Sequence, residues 1–231
     1  MTNALSNSIS VQSIFDLEAA PDCGLIKLHF TGEGMTLEDA VATAHRKVME
    51  AKEGLQSNHS SIQSIRVFNV YVGQKEDRLR SEALSFPRPL VVQGVLIVTS
   101  PTDYSAQYRI VDEGIKRGAF LENPQRRPYM SDSLDSAILY GVVDCEKHVK
   151  TALEKCLERA ASLAHTIADC SGKRIGKLIS ISGASVESSM NEIFRKDYSH
   201  ISKSFPTKFL SPTPEKVILS AKLVATYETS D

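Results

Sequence analysis

The sequence predicts an α+β fold, with mainly antiparallel sheet packed against one long alanine-rich helix and two shorter helices. Three observations carry that prediction. Strand-like stretches of β-branched and aromatic residues come in adjacent pairs. Longer stretches repeat apolar residues every three or four positions. The resulting order, β-β-α-β-β-α-β-α-β-β, lacks the strict β-α alternation of a parallel, doubly wound sheet.

Residues 9–18, ISVQSIFDLE, put Ile9, Val11, Phe15 and Leu17 on one side of a strand at period two. APDCG (20–24) reads as a turn. LIKLHF (25–30) alternates again, with Ile26, Leu28 and Phe30 on one face and Lys27 and His29 on the other. Their adjacency predicts that these two strands pair with each other. GEGMTLEDAVATAHRKVMEAKEGL then switches to a helical period. Thr36 is placed as N-cap with Asp39 completing a capping box, and Leu37, Ala40, Val41, Ala44, Val48, Ala51 and Leu55 form the apolar stripe.

IQSIRVFNVYV (62–72) and LVVQGVLIVT (90–99) read as strands joined by a charged loop, Gln74–Pro89. The second is so continuously apolar that both its faces are expected to be buried. TDYSAQYRIVDEGIKRG (102–118) is a helix capped by Thr102 or Asp103, residues 122–133 are a loop, and SAILYGVV (136–143) is a strand. The long helix, CEKHVKTALEKCLERAASLAHTIADC (145–170), is stopped by Ser171 and Gly172. IGKLISISG (175–183) and EKVILSAKLVATYE (215–228) are strands, the last alternating through Val217, Leu219, Ala221, Leu223, Ala225 and Tyr227. The serine- and proline-containing segment 187–214 reads as a long loop with a short helix near Met190–Arg195. One domain over 1–231, with its core in 9–228, accommodates all of this.

Composition narrows the function classes. The chain has 231 residues, 42% hydrophobic and 24% charged, and 27 Lys+Arg against 28 Asp+Glu leave a net charge of −1. A near-neutral chain lacks the basic field that general nucleic-acid binding requires. No run approaches the roughly 18 apolar residues of a membrane helix. Four cysteines do not make a disulfide framework, and MTNALSNSISVQSIF lacks the basic and apolar regions of a signal peptide. The expectation is a cytoplasmic protein with reduced thiols, or a periplasmic one if an export signal was removed.

The helix 145–170 holds three of the four cysteines and two of the six histidines, which invites a metal or redox reading. At about 100° per residue, Cys145, Cys156 and Cys170 share a face with Val149, Ala152, Leu153, Ala160, Leu163 and Ile167. Lys147, Glu154, Glu158, His165 and Asp169 take the other. With a rise of about 1.5 Å per residue, Cys145 and Cys156 stand about 16 Å apart. One metal or one disulfide cannot join them. Cys145 and His148 could share a metal only with two ligands from elsewhere. The three cysteines are therefore expected to be buried helix packing, and no metal, cofactor or catalytic residue is assigned.

Other candidates are few. Cys23, in the PDCG turn, is the thiol expected to be accessible, although Asp22 beside it opposes thiolate formation. TGEGMT (31–36) and SGKRIGK (171–177) resemble phosphate loops only superficially: the first lacks the required spacing, and the second follows a helix instead of preceding one. Ser185 lacks a nucleophile-elbow context. Arg126 and Arg127 could grip an acidic partner. Phe194, Tyr198, Phe205 and Phe209 crowd aromatics into a polar connection and form a candidate interaction surface.

Order and motifs together resemble the SIMPL-domain family across residues 9–228. ISVQSIFDLEAAPDCGLIKLHF is similar to the family's strand, Pro-Asp and strand opening, and GMTLEDA to its helix entry. ALEKCLERAASLAHTIADCSGKRIGKLISISGA resembles its alanine-rich helix, glycine exit, Gly-Lys and strand, and VILSAKLVATYE its closing strand. Ser13 and Ile14 stand where the family's first strand usually carries glycines. Members include bacterial periplasmic proteins linked to oxidative-stress defence, an outer-membrane-associated antigen, and an animal adaptor that binds a pelle-like kinase. The resemblance implies an α+β domain and homo-oligomerisation, and no agreed catalytic residues. The leading expectation is a non-enzymatic protein acting by self-assembly or protein binding, as a scaffold or adaptor connected to stress response. The alternatives are thiol-dependent peroxide or electrophile scavenging through Cys23, and small-molecule binding beside the sheet.

Overall fold

A computed structural model describes residues 7–75, 88–121, 137–188 and 207–230. The fold is α+β with antiparallel sheets. Its elements are β1 (Ser8–Ala19), β2 (Cys23–Glu33), α1 (Leu37–Asn58), β3 (Ile62–Lys75), β4 (Arg88–Thr99), α2 (Tyr104–Lys116), β5 (Ile138–Gly141), α3 (Glu146–Cys170), β6 (Arg174–Ser188), β7 (Leu210–Ser211) and β8 (Val217–Ser230). The order follows the sequence reading, with the two-residue β7 added.

The strands divide into a three-stranded sheet, β1-β8-β6, and a five-stranded sheet, β3-β4-β2-β5-β7. The expected β1–β2 pairing does not occur. β1 pairs along its length with β8, from Ser8↔Glu228 to Ala19↔Val217, while β2 lies between β4 and β5. The Asp22 carboxylate accepts hydrogen bonds from the backbone N–H groups of Val143 (2.7 Å) and Asp144 (3.1 Å). The PDCG corner thus fastens to the chain entering α3 instead of closing a hairpin.

The three-stranded sheet packs its alternating face on α3. Val217, Leu219, Ala221, Leu223, Ala225 and Tyr227 of β8 are all buried there, as the period of two requires. The helix contributes Ala152, Cys156, Ala160, Ala164 and Ala168, a ladder of small side chains at every fourth position. A row of small residues lets a helix sit close to a sheet. It also leaves the larger flanking residues Leu163 and Ile167 outside, contrary to their expected place in the stripe. α3 ends in a Schellman turn: Gly172 adopts φ +68°, its N–H donates to Asp169 O, and Lys173 N–H donates to Ala168 O at 2.9 Å.

The five-stranded sheet packs Ile26, Leu28, Phe30, Val95 and Ile97 against α1 and α2. Its other face carries Cys23, Leu25, Leu96 and Val98 and is also buried, which explains the unbroken apolar run in β4. α1 has the expected capping box, with Asp39 N–H donating to Thr36 Oγ1 at 3.1 Å, and α2 is capped by Asp103. Leu37 and Val41, placed in the α1 stripe by the sequence, are exposed in the first turns. No helix among the described residues is long and apolar enough to cross a membrane.

Candidate functional site

The candidate thiol does not lie on an exposed turn. Cys23 opens β2, is 1% exposed, and packs with Leu25, Leu96, Val98, Leu139 and Leu210. Burial, reinforced by the neighbouring Asp22 carboxylate, pushes its pKa up to about 12. At neutral pH a thiol of that pKa is about one part in 10⁵ thiolate, which opposes nucleophilic or peroxide chemistry. Proximity to Asp22 was visible in the sequence. Burial was not, because the turn reading placed Cys23 outside the sheet.

Phe209 is likewise a correction. It is fully buried in the cluster around α3 and β8, and its carbonyl accepts from Val142 N–H at 3.2 Å, so it is a core residue and offers no surface. Phe194, Tyr198, Phe205, Arg126 and Arg127 lie outside the described residues. The cysteines of α3 separate along the helix: Cys156 is buried, Cys145 partly buried and Cys170 exposed, so the expectation of three buried thiols fails at Cys170. The buried ladder advances by about 40° at each four-residue step, so at Ala168 it occupies the side of the helix nearly opposite Cys170. Among the described residues, no group of three His, Cys, Asp or Glu side chains could hold a metal ion.

The glycine loop TGEGMT has a packing role. A Cβ on Gly32 would stand 2.8 Å from Ala44 Cβ and closer still to the backbone of Ala40 and Ala44. The glycine is what lets β2 and α1 meet.

Two concave regions lie among the described residues. A cleft of about 230 Å³ lies between α2 and β5, lined by Tyr108, Val111, Ile138, Tyr140, Pro212 and Pro214. Tyr104 meets the Tyr140 ring edge-on at 5.9 Å. The second region is polar, where the end of α1 meets α2. Glu113 accepts from Arg117 Nη2 (2.7 Å) and Asn58 Nδ2 (3.1 Å), and its Oε2 lies 2.7 Å from His59 Nε2. Burial pushes the Glu113 pKa up, but these hydrogen bonds and the Arg117 charge outweigh it and hold the carboxyl at about 2. The donors are satisfied within the cluster, which reads as an interhelical clasp.

The feature that stands out is apolar. Leu163 and Ile167 on α3, and Leu178, Ile179 and Ile181 on β6, are each 40–54% exposed. The short turn 171–173 joins the two elements. Both elements run back from that turn, with residue 163 about 10 Å from the helix end, residue 178 about 13 Å along the strand and residue 181 about 23 Å along it. Opposite Leu178 and Ile181 across the ladder are Tyr227 and Ala225, both buried, so these two side chains belong to the helix-covered face of the sheet. They are exposed because the cluster beneath α3 takes only Ile175 and Val186 from β6. Isolated exposed apolar residues are ordinary, whereas five on two consecutive elements are a candidate interaction surface. Sequence reasoning placed an interaction surface elsewhere. The available signal was the uncharged run LISISGASV (178–186), together with the unusually small residues at 152, 156, 160, 164 and 168.

Compared with protein-family models and with curated proteins, the chain matches none of either.

Proposed function

We propose that this chain is a SIMPL-domain protein that works by protein contact, through self-assembly or partner binding, as a scaffold or adaptor and not as an enzyme. The observation that carries the reading is the exposure of Leu163 and Ile167 on α3 and of Leu178, Ile179 and Ile181 on the β6 that follows it. Water-exposed leucine and isoleucine at this density are unfavourable in a free monomer, and covering them supplies the driving force for association. The link to stress response rests on the resemblance of residues 9–228 to that family.

The alternatives have weaker support. A thiol scavenger needs an accessible thiolate, and the Cys23 thiol is buried with its pKa near 12. The tyrosine- and proline-lined cleft, at about 230 Å³, is below the ~300–1,000 Å³ usual for small-molecule sites, and the polar region beside Glu113, at about 460 Å³, has its Glu113 carboxylate already engaged by Arg117, Asn58 and His59.

The test is Ile181→Asp combined with Leu178→Asp, checked for folding by circular dichroism. Light scattering and pull-down from the native host should both show loss of association. A wild-type chain that stays monomeric, captures nothing, and behaves as the variant does in both assays refutes the reading.

A further inference from the structure

We propose that the surface described above closes on a second copy of this chain, through antiparallel pairing of β6 with β6 of the partner about a two-fold axis at Ser182. The inference rests on the protein-contact reading and names its occupant.

Among the described strands β6 lies at the edge of its sheet, with β8 on one side and no described strand on the other, and residues 176–184 along it are exposed. An open edge is a template for a further strand, and natural proteins usually guard it with charge. Here the run Leu178–Val186 has none. Its two flanking residues are Lys177 and Glu187, both exposed and equidistant from Ser182. Antiparallel self-pairing about Ser182 sets Lys177 of each copy opposite Glu187 of the other. It also sets Leu178 opposite Val186. In this register, unlike charges meet at both ends and apolar residues meet inside them. Ser188, the last described residue of β6, donates from its Oγ to Leu210 O at 3.3 Å.

The geometry also accounts for the helix residues. A two-fold axis perpendicular to the sheet keeps both α3 helices on the same face of a joined six-stranded sheet. Leu163, Ile167, Leu178 and Ile181 of each copy then line the seam between the two helices. Register shifts between Ile175 and Leu178, Leu178 and Ser180, and Ser182 and Ser185 interrupt the ladder on both sides of the axis. The two-fold contact is isologous and uses up the β6 edge of both copies, so it closes as a dimer. The opposite edge, β1, carries exposed Asp16 and Glu18 and is guarded in the usual way.

Two experiments on the full chain test the register. Analytical ultracentrifugation should show a dimer for wild type and at least a tenfold weaker association for Lys177→Glu and for Glu187→Lys. The double charge swap should restore it. Separately, Ser182→Cys in a Cys170→Ser background should form a disulfide dimer under mild oxidation, because paired antiparallel Cα atoms lie about 4.5–5.5 Å apart, within disulfide range. Cysteines at 180 or 184 should cross-link far less. Failure of the double swap to restore association, or cross-linking no better at 182 than at its neighbours, overturns the register. A strictly monomeric wild type overturns the inference outright. If that monomer still captures a partner, and loses it on Ile181→Asp, the protein-contact reading stands without this occupant.

Discussion

Gly32→Ala is expected to be among the most damaging single-methyl changes in the molecule. The added Cβ would lie 2.8 Å from Ala44 Cβ and closer still to Ala40 O and Ala44 N. Ordinary carbon contacts begin near 3.5 Å, so α1 must retreat by the better part of an ångström. The obstacles are helix backbone and a methyl group with no rotamer to change. The retreat loosens Ala40, Ala44 and Val91, which form their own buried cluster at that point. Overpacking of this kind costs about 1–3 kcal/mol and more where backbone must move. The reduced freedom of alanine in the unfolded chain returns about 0.4–1 kcal/mol. With backbone as the obstacle the cost falls at or above the upper end of that range, and a net loss of about 2 kcal/mol or more follows. Gly94→Ala is the internal comparison: its Cβ meets the ring of Phe68, a side chain that can turn aside, so the loss should be smaller. Urea unfolding followed by circular dichroism measures both. Gly32→Ala within about 0.5 kcal/mol of wild type, or less harmful than Gly94→Ala, would refute the close-approach argument.

Two further outcomes are expected. Glu113 is held at a pKa of about 2 in the folded state against 4.5 unfolded, so its contribution is complete above pH 4.5 and is lost as pH falls from 4.5 towards 2. With Arg117 about one-third exposed, screening reduces that contribution to about 1–2 kcal/mol. Glu113→Gln should lower stability by that amount at pH 7 and flatten the acid limb of the stability–pH curve, and an unchanged acid limb would exclude the clasp. Thiol labelling at neutral pH, followed by mass spectrometry, should modify Cys170 first, Cys145 more slowly, and Cys23 and Cys156 only as the protein opens; early labelling of Cys23 would contradict its burial.

The local rules of the chain were legible where a single element determines the outcome. The capping box at Thr36 and Asp39 and the alternation from Val217 to Tyr227 were read directly, because each depends on residues within one helix or strand. Strand partnership was not legible. Alternation tells a strand which face to bury and leaves its neighbour open, so β1 was given the nearest strand when its partner lies near the other end of the chain. The error in α3 has a different cause. Placing large apolar residues inward is the usual rule, yet a helix seated closely on a sheet needs small ones, and here Ala152, Cys156, Ala160, Ala164 and Ala168 win the interior. The displaced Leu163 and Ile167 became part of the candidate surface. Cys23 and Phe209 were misplaced for a related reason: turn and loop composition marked their segments as solvent-facing, while packing against Leu210 and β8 buried both.

The β1–β8 ladder has a consequence for how the protein comes into being. Ser8 is matched to Glu228, so β1 must wait for β8 to be synthesised. At about 5–20 residues per second, ribosomes need some 10–45 s to cover that interval. The five-stranded sheet needs β7 as its final member, yet its pairs β2–β4 and β3–β4 complete far earlier. During synthesis, one half of the chain can acquire a core while Val11, Phe15 and Leu17 have nothing to cover them. That delay leaves β1 adhesive on the newborn chain, and it makes chaperone protection of residues 8–19 a matter of timing set by topology.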